Sequence, residues 1–90
     1  MTKEKKQYRP DYSDDTMVEH QLVLYNDDVN TFEHVINCLV EICNHSAEQA
    51  EQCSIIVHYK GKCTVKSGGF DDLRIMCEKL CVEGLSAVVE

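Results

Sequence analysis

Residues 20–43 read HQLVLYNDDVNTFEHVINCLVEIC and contain a change from strand to helix. The apolar, β-prone run His20–Tyr25 predicts a strand that is mostly buried on both faces, and the polar stretch 26–28 favours a turn. Asn30 and Glu33 have the spacing of a capping box, which predicts that a helix begins there. The apolar residues that follow recur with helical periodicity and predict a one-sided, core-facing stripe: Phe32, Val35, Ile36, Leu39, Val40 and Cys43.

The rest of the chain supplies two more helices and two more strands. Ser46 and Gln49 form a second capping box, and the helix that they open is predicted to stop at Gly61. A short strand is predicted at 62–66 and a turn at 67–69. A third helix is predicted at about 71–82, with Cys81 on its inner face, and a final strand at 85–89. The order β-α-α-β-α-β predicts an α+β domain in which a three-stranded antiparallel sheet packs against three helices.

The length of the chain limits it to one domain. Ninety residues, of which 43% are hydrophobic and 28% charged, can form only one modest core. Residues 1–18 hold the only Pro and show no periodicity, so they are predicted to be a disordered N-terminal extension. The folded domain is predicted to occupy residues 19–90.

The negative charge is concentrated in the middle of the chain. The net charge is -7, and between Pro10 and Tyr59 there are ten acidic residues and no Lys or Arg. Such a surface repels phosphate, so binding to nucleic acid or to an anionic membrane is not predicted. A cationic partner fits this surface better.

The six cysteines do not indicate a disulfide scaffold. The start MTKEKKQYRP has no apolar region for export, so a reducing, cytoplasmic setting is expected. The cysteines form no CxxC pair, and most lie at apolar helix positions, where free Cys behaves as a small hydrophobic residue. No metal site, no cofactor and no catalytic nucleophile is predicted, so an enzyme is not expected.

One polar cluster borders an apolar segment and is a candidate binding site. Asn26, Asp27 and Asp28 stand between the first strand and the first helix, where two carboxylates have no cation nearby in sequence. Ordinary turn formation explains the cluster, although a bound cation such as an ammonium group would relieve the repulsion between the two carboxylates. His58 is compatible with a helix C-terminal cation and with a binding role.

Two motifs about thirty residues apart resemble the ClpS family, the adaptors that recognise N-degrons for bacterial AAA+ proteases. The family pattern is a strand ending in Asn-Asp-Asp, a capped helix, and later Val-His-(Tyr/His)-x-Gly-Lys at the end of the second helix. Here they appear as 26–28, 30–33 and 57–62, and GLSAVVE is similar to the family's last strand. The resemblance covers residues 19–90.

The resemblance implies a site for the first residue of a substrate protein, usually Leu, Phe, Tyr or Trp. The α-amine is expected to bind Asn26, Asp27 or Asp28, and His58. The side-chain pocket is expected to consist of six residues: Asn30, Phe32, Val35, Ser54, Val57 and Leu85. Two of these depart from the family, since Phe32 stands where Met is usual and Ser54 where a large apolar residue is common.

The implied partners are N-degron substrates and a ClpA-like AAA+ unfoldase, with the adaptor acting as a monomer. The family commonly has an Ala-Glu-x-Lys stretch near the start of the third helix for docking, whereas this chain reads DDLRIMCEK at 71–79. An alternative is an interaction module similar to the C-terminal domain of ribosomal stalk proteins. Those domains recruit factors through a basic helix face. This chain has no Lys or Arg from residue 10 to 59, so its first two helices lack such a face until the last residue of the second.

Overall fold

The computed structural model describes residues 18–90, and the extension predicted at 1–18 lies outside this range except for the exposed Val18. Three helices and a three-stranded antiparallel sheet follow one another as β-α-α-β-α-β, which confirms the predicted fold class. The elements are β1 His20–Tyr25, α1 Phe32–Ile42, α2 Ala47–Lys60, β2 Lys62–Gly68, α3 Phe70–Val82 and β3 Ser86–Val89. Within residues 18–90, no helix combines the length and apolarity required to cross a membrane.

The first strand is the centre of the sheet, whose order is β2-β1-β3. Leu22, Val23 and Leu24 are each at most 5% exposed, as the uninterrupted apolar run predicted. The pairing with β2 shifts between Leu22 and Val23, which face Lys66 and Thr64, so Val65 is an extra residue in a bulge. The bulge keeps the Val65 side chain in the core and leaves its backbone outside the regular ladder.

A buried histidine forms a hydrogen bond to the backbone of this bulge. His45 is 4% exposed, and its Nε2 lies 2.7 Å from the carbonyl oxygen of Val65. A ring N–H that donates to this oxygen replaces the strand partner that the bulge removes. The connection between α1 and α2 is thereby joined to the sheet.

Replacing His45 with Ala should lower the free energy of unfolding by roughly 2–4 kcal/mol, because a buried carbonyl loses its donor and a cavity opens. Chemical denaturation of the two proteins measures the difference. His58→Ala is the control, since His58 is exposed and its removal should cost less than about 1 kcal/mol. Equal midpoints for His45→Ala and the unchanged protein would show that the bond contributes nothing.

The helix boundaries correct one predicted cap and confirm another. Thr31, not Asn30, caps α1, because the Thr31 hydroxyl accepts the backbone N–H of His34 at 3.1 Å. The Asn30 amide is engaged elsewhere, as described below. Ser46 caps α2 by accepting the N–H of Gln49 at 3.1 Å, as predicted. Gly61 ends α2 in the left-handed conformation, φ 93°, which favours glycine.

The end of β2 and the burial of Cys81 differ from the prediction. β2 continues through Ser67 to Gly68, where a turn was predicted, because both residues pair with β1 and the Ser67 hydroxyl donates to Gln21 at 2.8 Å. α3 accordingly begins at Phe70. Cys81 is exposed, although its thiol lies 3.6 Å from the Ala87 carbonyl oxygen; the adjacent Leu80 is the residue of this turn that is fully buried.

The core lies between the sheet and the helices and includes several cysteines. All six cysteines are free, and Cys38 and Cys43 are buried, in agreement with their predicted packing role. Burial raises the pKa of Cys43 to about 11, and burial together with Cys63 raises that of Cys53 to about 12. These two thiols therefore stay protonated and unreactive near neutral pH.

Candidate functional site

A cavity of about 400 Å³ opens where the end of β1, the start of α1, the end of α2 and the start of β3 meet. All ten residues selected from the sequence line this cavity. Three residues that sequence reasoning had not assigned to the site also contribute to it, namely Leu24, Tyr25 and Thr31. Leu24 and Tyr25 precede the Asn-Asp-Asp motif directly, and Thr31 is the helix cap, so adjacency to the motif was the signal that could have found them.

Backbone pairing brings the Asn-Asp-Asp motif to the end of α2. Tyr25 pairs with Lys62 in the sheet, and the next backbone N–H, that of Asn26, donates to the Gly61 carbonyl at 2.9 Å. The Gly61 N–H in turn donates to the Val57 carbonyl at 2.9 Å. Asn26 is thus held beside the turn of helix that carries Val57 and His58. Two motifs thirty residues apart in sequence become one site.

Asp27 organises the loop that follows β1. Its Oδ1 accepts the backbone N–H groups of Val29 at 3.0 Å and Asn30 at 3.1 Å, and the Asn30 side-chain amide lies 3.0 Å from both oxygens. Desolvation raises the pKa of Asp27, but the hydrogen bonds from Asn30 and Val29 lower it by more, so the net pKa is below the usual 3.8. Because the folded-state pKa is depressed, this carboxylate contributes stability above about pH 4, and that stability is lost as the pH falls through the folded-state pKa.

Asn30 joins this loop to the last strand. Besides its bonds to Asp27, its Nδ2 donates to the Gly84 carbonyl at 2.9 Å, and Gly84 immediately precedes Leu85. The Ser86 hydroxyl lies 3.4 Å from Oδ2 of Asp27. Leu85 is 5% exposed and contributes the wall of the cavity on the β3 side. The role found for Asn30 is therefore to fix the rim, which explains why it does not cap α1.

Aromatic contacts hold the His58 ring at the mouth of the cavity. The ring centroid of Phe32 lies 5.1 Å from that of His58, and Tyr59 contacts the same imidazole edge-on at 4.9 Å. Phe32 was predicted to face the core, but it is 45% exposed, because it lines the open cavity and packs against the exposed His58. The two contacts restrict rotation of the imidazole.

The deeper wall of the cavity is apolar and closely packed. Val57 is 5% exposed, Ser54 is 3% exposed, and Val35 is half-buried. The hydroxyl of Ser54 is buried and has no hydrogen-bond partner among residues 18–90. Ser54 and His58 therefore do not form a nucleophile–base pair. Serine is small, so this position leaves room in the wall.

The arrangement combines hydrogen-bond acceptors at the rim with apolar surface below. Asn26 offers an amide oxygen, Asp27 and Asp28 offer carboxylates, and a neutral imidazole at His58 offers one ring nitrogen. Asp28 is exposed, whereas Asp27 is held in the loop. Such a site suits a ligand in which a cationic donor is attached directly to an apolar group.

The sequence matches the family model described as ATP-dependent Clp protease adaptor protein ClpS over residues 15–87. The chain belongs to the ClpS adaptor family. ClpS from Thermosynechococcus vestitus is 34% identical over 68 residues, which are 74% of this chain and 72% of that protein. ClpS from a Nostoc species is 32% identical over 72 residues, which are 79% of this chain and 74% of the Nostoc protein. Membership in ClpS decides against the ribosomal-stalk alternative.

A solved ClpS structure has the same fold. Agrobacterium tumefaciens ClpS2, determined with bound L-phenylalaninamide, superposes with a TM-score of 0.74 and covers 80% of this chain and 94% of its own. The sequence identity is 20%. The β-α-α-β-α-β arrangement is therefore that of ClpS.

Proposed function

We propose that this Clp protease adaptor binds the free first residue of substrate proteins, Leu, Phe, Tyr or Trp, and delivers them to a Clp-type AAA+ unfoldase. The observation that carries the proposal is the shared cavity, in which four polar residues stand at the rim of an apolar pocket. The binding roles of these residues come from the resemblance to ClpS and from their chemistry.

The rim fits the chemistry of a protein N-terminus. A free α-amine has a pKa of about 7.7 to 8.0, so it is mostly charged at neutral pH and offers three donors on one nitrogen. Asn26, the Asp pair and His58 supply acceptors that match this group. An internal peptide nitrogen has one donor and no charge, so it would leave acceptors of the rim without a donor. The rim thereby selects chain ends.

The apolar part of the cavity fits the side chain of the first residue. Burying a Leu or Phe side chain contributes roughly 1.5–3 kcal/mol, which suits reversible binding by an adaptor. The phenylalaninamide bound to Agrobacterium ClpS2 has the same two parts, a free amine and a benzyl group. It supports this assignment by analogy.

Two residues give this pocket its own shape. Phe32 packs against His58 and narrows the mouth, where most ClpS proteins are expected to have Met. Ser54 leaves space in the wall, where relatives often have a large apolar side chain. We infer that the pocket accepts long aromatic side chains, which enter end-on past Phe32 and fill the space beside Ser54.

Delivery requires a second surface, for which α3 is the family's usual element. The exposed first turn of α3 carries Asp71 and Asp72, and Arg74 pairs with Glu78 at 2.9 Å one turn later. These residues differ from the Ala-Glu-x-Lys pattern, so contact with a ClpA-like N-terminal domain would use different side chains. We propose that the adaptor acts as a monomer in this complex.

The proposal is tested with labelled peptides that differ only in their first residue. Fluorescence anisotropy should show that Phe binds about 10- to 150-fold more tightly than Ala, as burial of the phenyl group requires. Ser54→Met should weaken binding of N-terminal Trp more than of Leu, because it fills the wall. Ile55→Met is the matched control, since Ile55 is the next residue on α2 and does not line the cavity.

A Clp protease assay tests delivery separately. A reporter that begins with Phe should be degraded faster when the adaptor is added, and a reporter that begins with Ala should not. Equal affinity for Phe and Ala peptides would contradict the pocket assignment. Tight binding without faster degradation would instead contradict the delivery step.

A further inference from the structure

Three metal-ligating side chains meet outside the peptide cavity. His34 and Cys38 are four residues apart on one face of α1, and Glu83 follows the last turn of α3. One ligand atom from each lies within 4.8 Å of the other two. A second cavity of about 300 Å³, which shares no residue with the first, opens onto this cluster and is also lined by Asn37 and Glu41.

We propose that His34, Cys38 and Glu83 bind a Zn²⁺ ion. With Zn–S near 2.3 Å and Zn–N near 2.0–2.1 Å, tetrahedral coordination separates sulfur and nitrogen ligands by about 3.6 Å. Sγ of Cys38 lies 3.6 Å from Nε2 and 4.0 Å from Nδ1 of His34. An imidazole, a thiolate and a carboxylate are together the donor set that zinc prefers, whereas Mg²⁺ and Ca²⁺ prefer oxygen alone.

The histidine already has the outer contact that zinc ligands commonly make. Nε2 of His34 lies 2.9 Å from the backbone carbonyl oxygen of Glu83. When Nε2–H donates to this oxygen, Nδ1 keeps its lone pair for the metal, and its 4.0 Å separation from Sγ of Cys38 has to shorten slightly on binding. Such a bond to a carbonyl orients the ring of a ligating histidine and raises its basicity.

The charges around the cluster favour a cation and supply a fourth ligand. The carboxylates of Glu83 and Glu41 line the second cavity together with Cys38 and His34. On binding, Zn²⁺ replaces the proton of the Cys38 thiol, and that proton passes to solvent. The Glu41 carboxylate or a water molecule completes four-coordination. The ion would join α1 to the segment that leads into β3, next to Gly84 and Leu85.

The sequence did not predict this site. His34 and Cys38 are four residues apart and of different types, so they form no CxxC pair and no other motif that marks a zinc site in sequence. Glu83 lies 49 residues beyond His34, and only the packing of α3 beside α1 brings them together.

Zinc binding is tested on the reduced 90-residue chain by calorimetry, with Co²⁺ as the spectroscopic probe. One ion per chain should bind, and Co²⁺ should give a near-ultraviolet charge-transfer band from the thiolate. Cys38→Ser should remove the band and weaken Zn²⁺ binding at least about tenfold, since even outer-shell changes cost 10- to 100-fold. Glu83→Gln, at an exposed position that does not threaten folding, should weaken binding similarly.

Cys81→Ser is the matched control, because Cys81 also lies one helical turn after a side chain that could bind metal, Cys77, but is not part of the proposed site. It should leave the band and the affinity unchanged. At a Zn²⁺ concentration 100-fold above Kd, the unfolding midpoint should rise by about 10 °C or more in the control but not in Cys38→Ser. A chain without the cobalt band, or with a band that Cys81→Ser removes and Cys38→Ser retains, would overturn the proposal. Neither result bears on peptide binding.

Discussion

Acetylation of the N-terminal amine of a Phe-initiated peptide should weaken its binding more than about 100-fold. The acetyl group removes the positive charge. It also removes two of the three N–H donors of the amine, for which the proposed acceptors are Asn26, Asp27 or Asp28, and His58. Hydrogen bonds to charged groups contribute about 1.5–3 kcal/mol each, so losing two of them exceeds a 100-fold change. Competition against a labelled, unmodified peptide measures the loss.

The same prediction has a pH-dependent form. Above about pH 8 the amine loses its proton, and affinity should fall with a midpoint set by the peptide. Asp27 stays ionised throughout this range because its pKa is below 3.8. A peptide acetylated only on an internal Lys is the control and should bind unchanged. Binding of the N-acetylated peptide within threefold of the free one would show that the amine is not recognised.

Sequence patterns predicted the fold well where burial alone or local capping alone determined the structure of a segment. The apolar run His20–Tyr25 could only be buried at the centre of a sheet, and Ser46 and Gly61 had no competing tertiary partner. All ten selected residues do line one cavity, because the two motifs that carry them end elements that pair in the sheet. Their roles in binding remain predictions.

Sequence patterns failed where a distant partner decided the outcome. Asn30 has the correct spacing for a cap, but its amide binds Asp27 and Gly84, so Thr31 caps α1 instead. Ser67 has the chemistry of a turn residue, yet pairing with Gln21 keeps it in β2. In each case a contact across more than 40 residues outweighs a local preference, and such contacts leave no mark in a short window of sequence.

Replacing both Asp27 and Asp28 with Ala should weaken binding of a Phe-initiated peptide more than about 100-fold. Two carboxylates at the rim disappear, and the charged amine then binds without a counter-ion. Fluorescence anisotropy measures the affinity. The thermal unfolding midpoint of the double variant should also be a few degrees lower, because Asp27 accepts hydrogen bonds from Val29 and Asn30.

The loss of loop contacts has to be separated from the loss of charge. Asp27→Ala frees the loop that Asn30 joins to Gly84, so it combines both effects, whereas Asp28→Ala removes an exposed charge alone. If the double variant is folded by circular dichroism but does not bind, the single variants show how much each carboxylate contributes.

A matched pair of acids elsewhere controls for net charge. Asp71 and Asp72 are adjacent and exposed in the first turn of α3 and do not line the cavity. Replacing both with Ala changes the net charge by the same amount and should leave peptide affinity within about twofold, because exposed charges more than about 8–10 Å apart are screened at physiological ionic strength. An equal loss in both double variants would mean that the general acidity of the domain attracts the amine. A loss confined to the Asp27 and Asp28 variant would mean that the rim itself binds it.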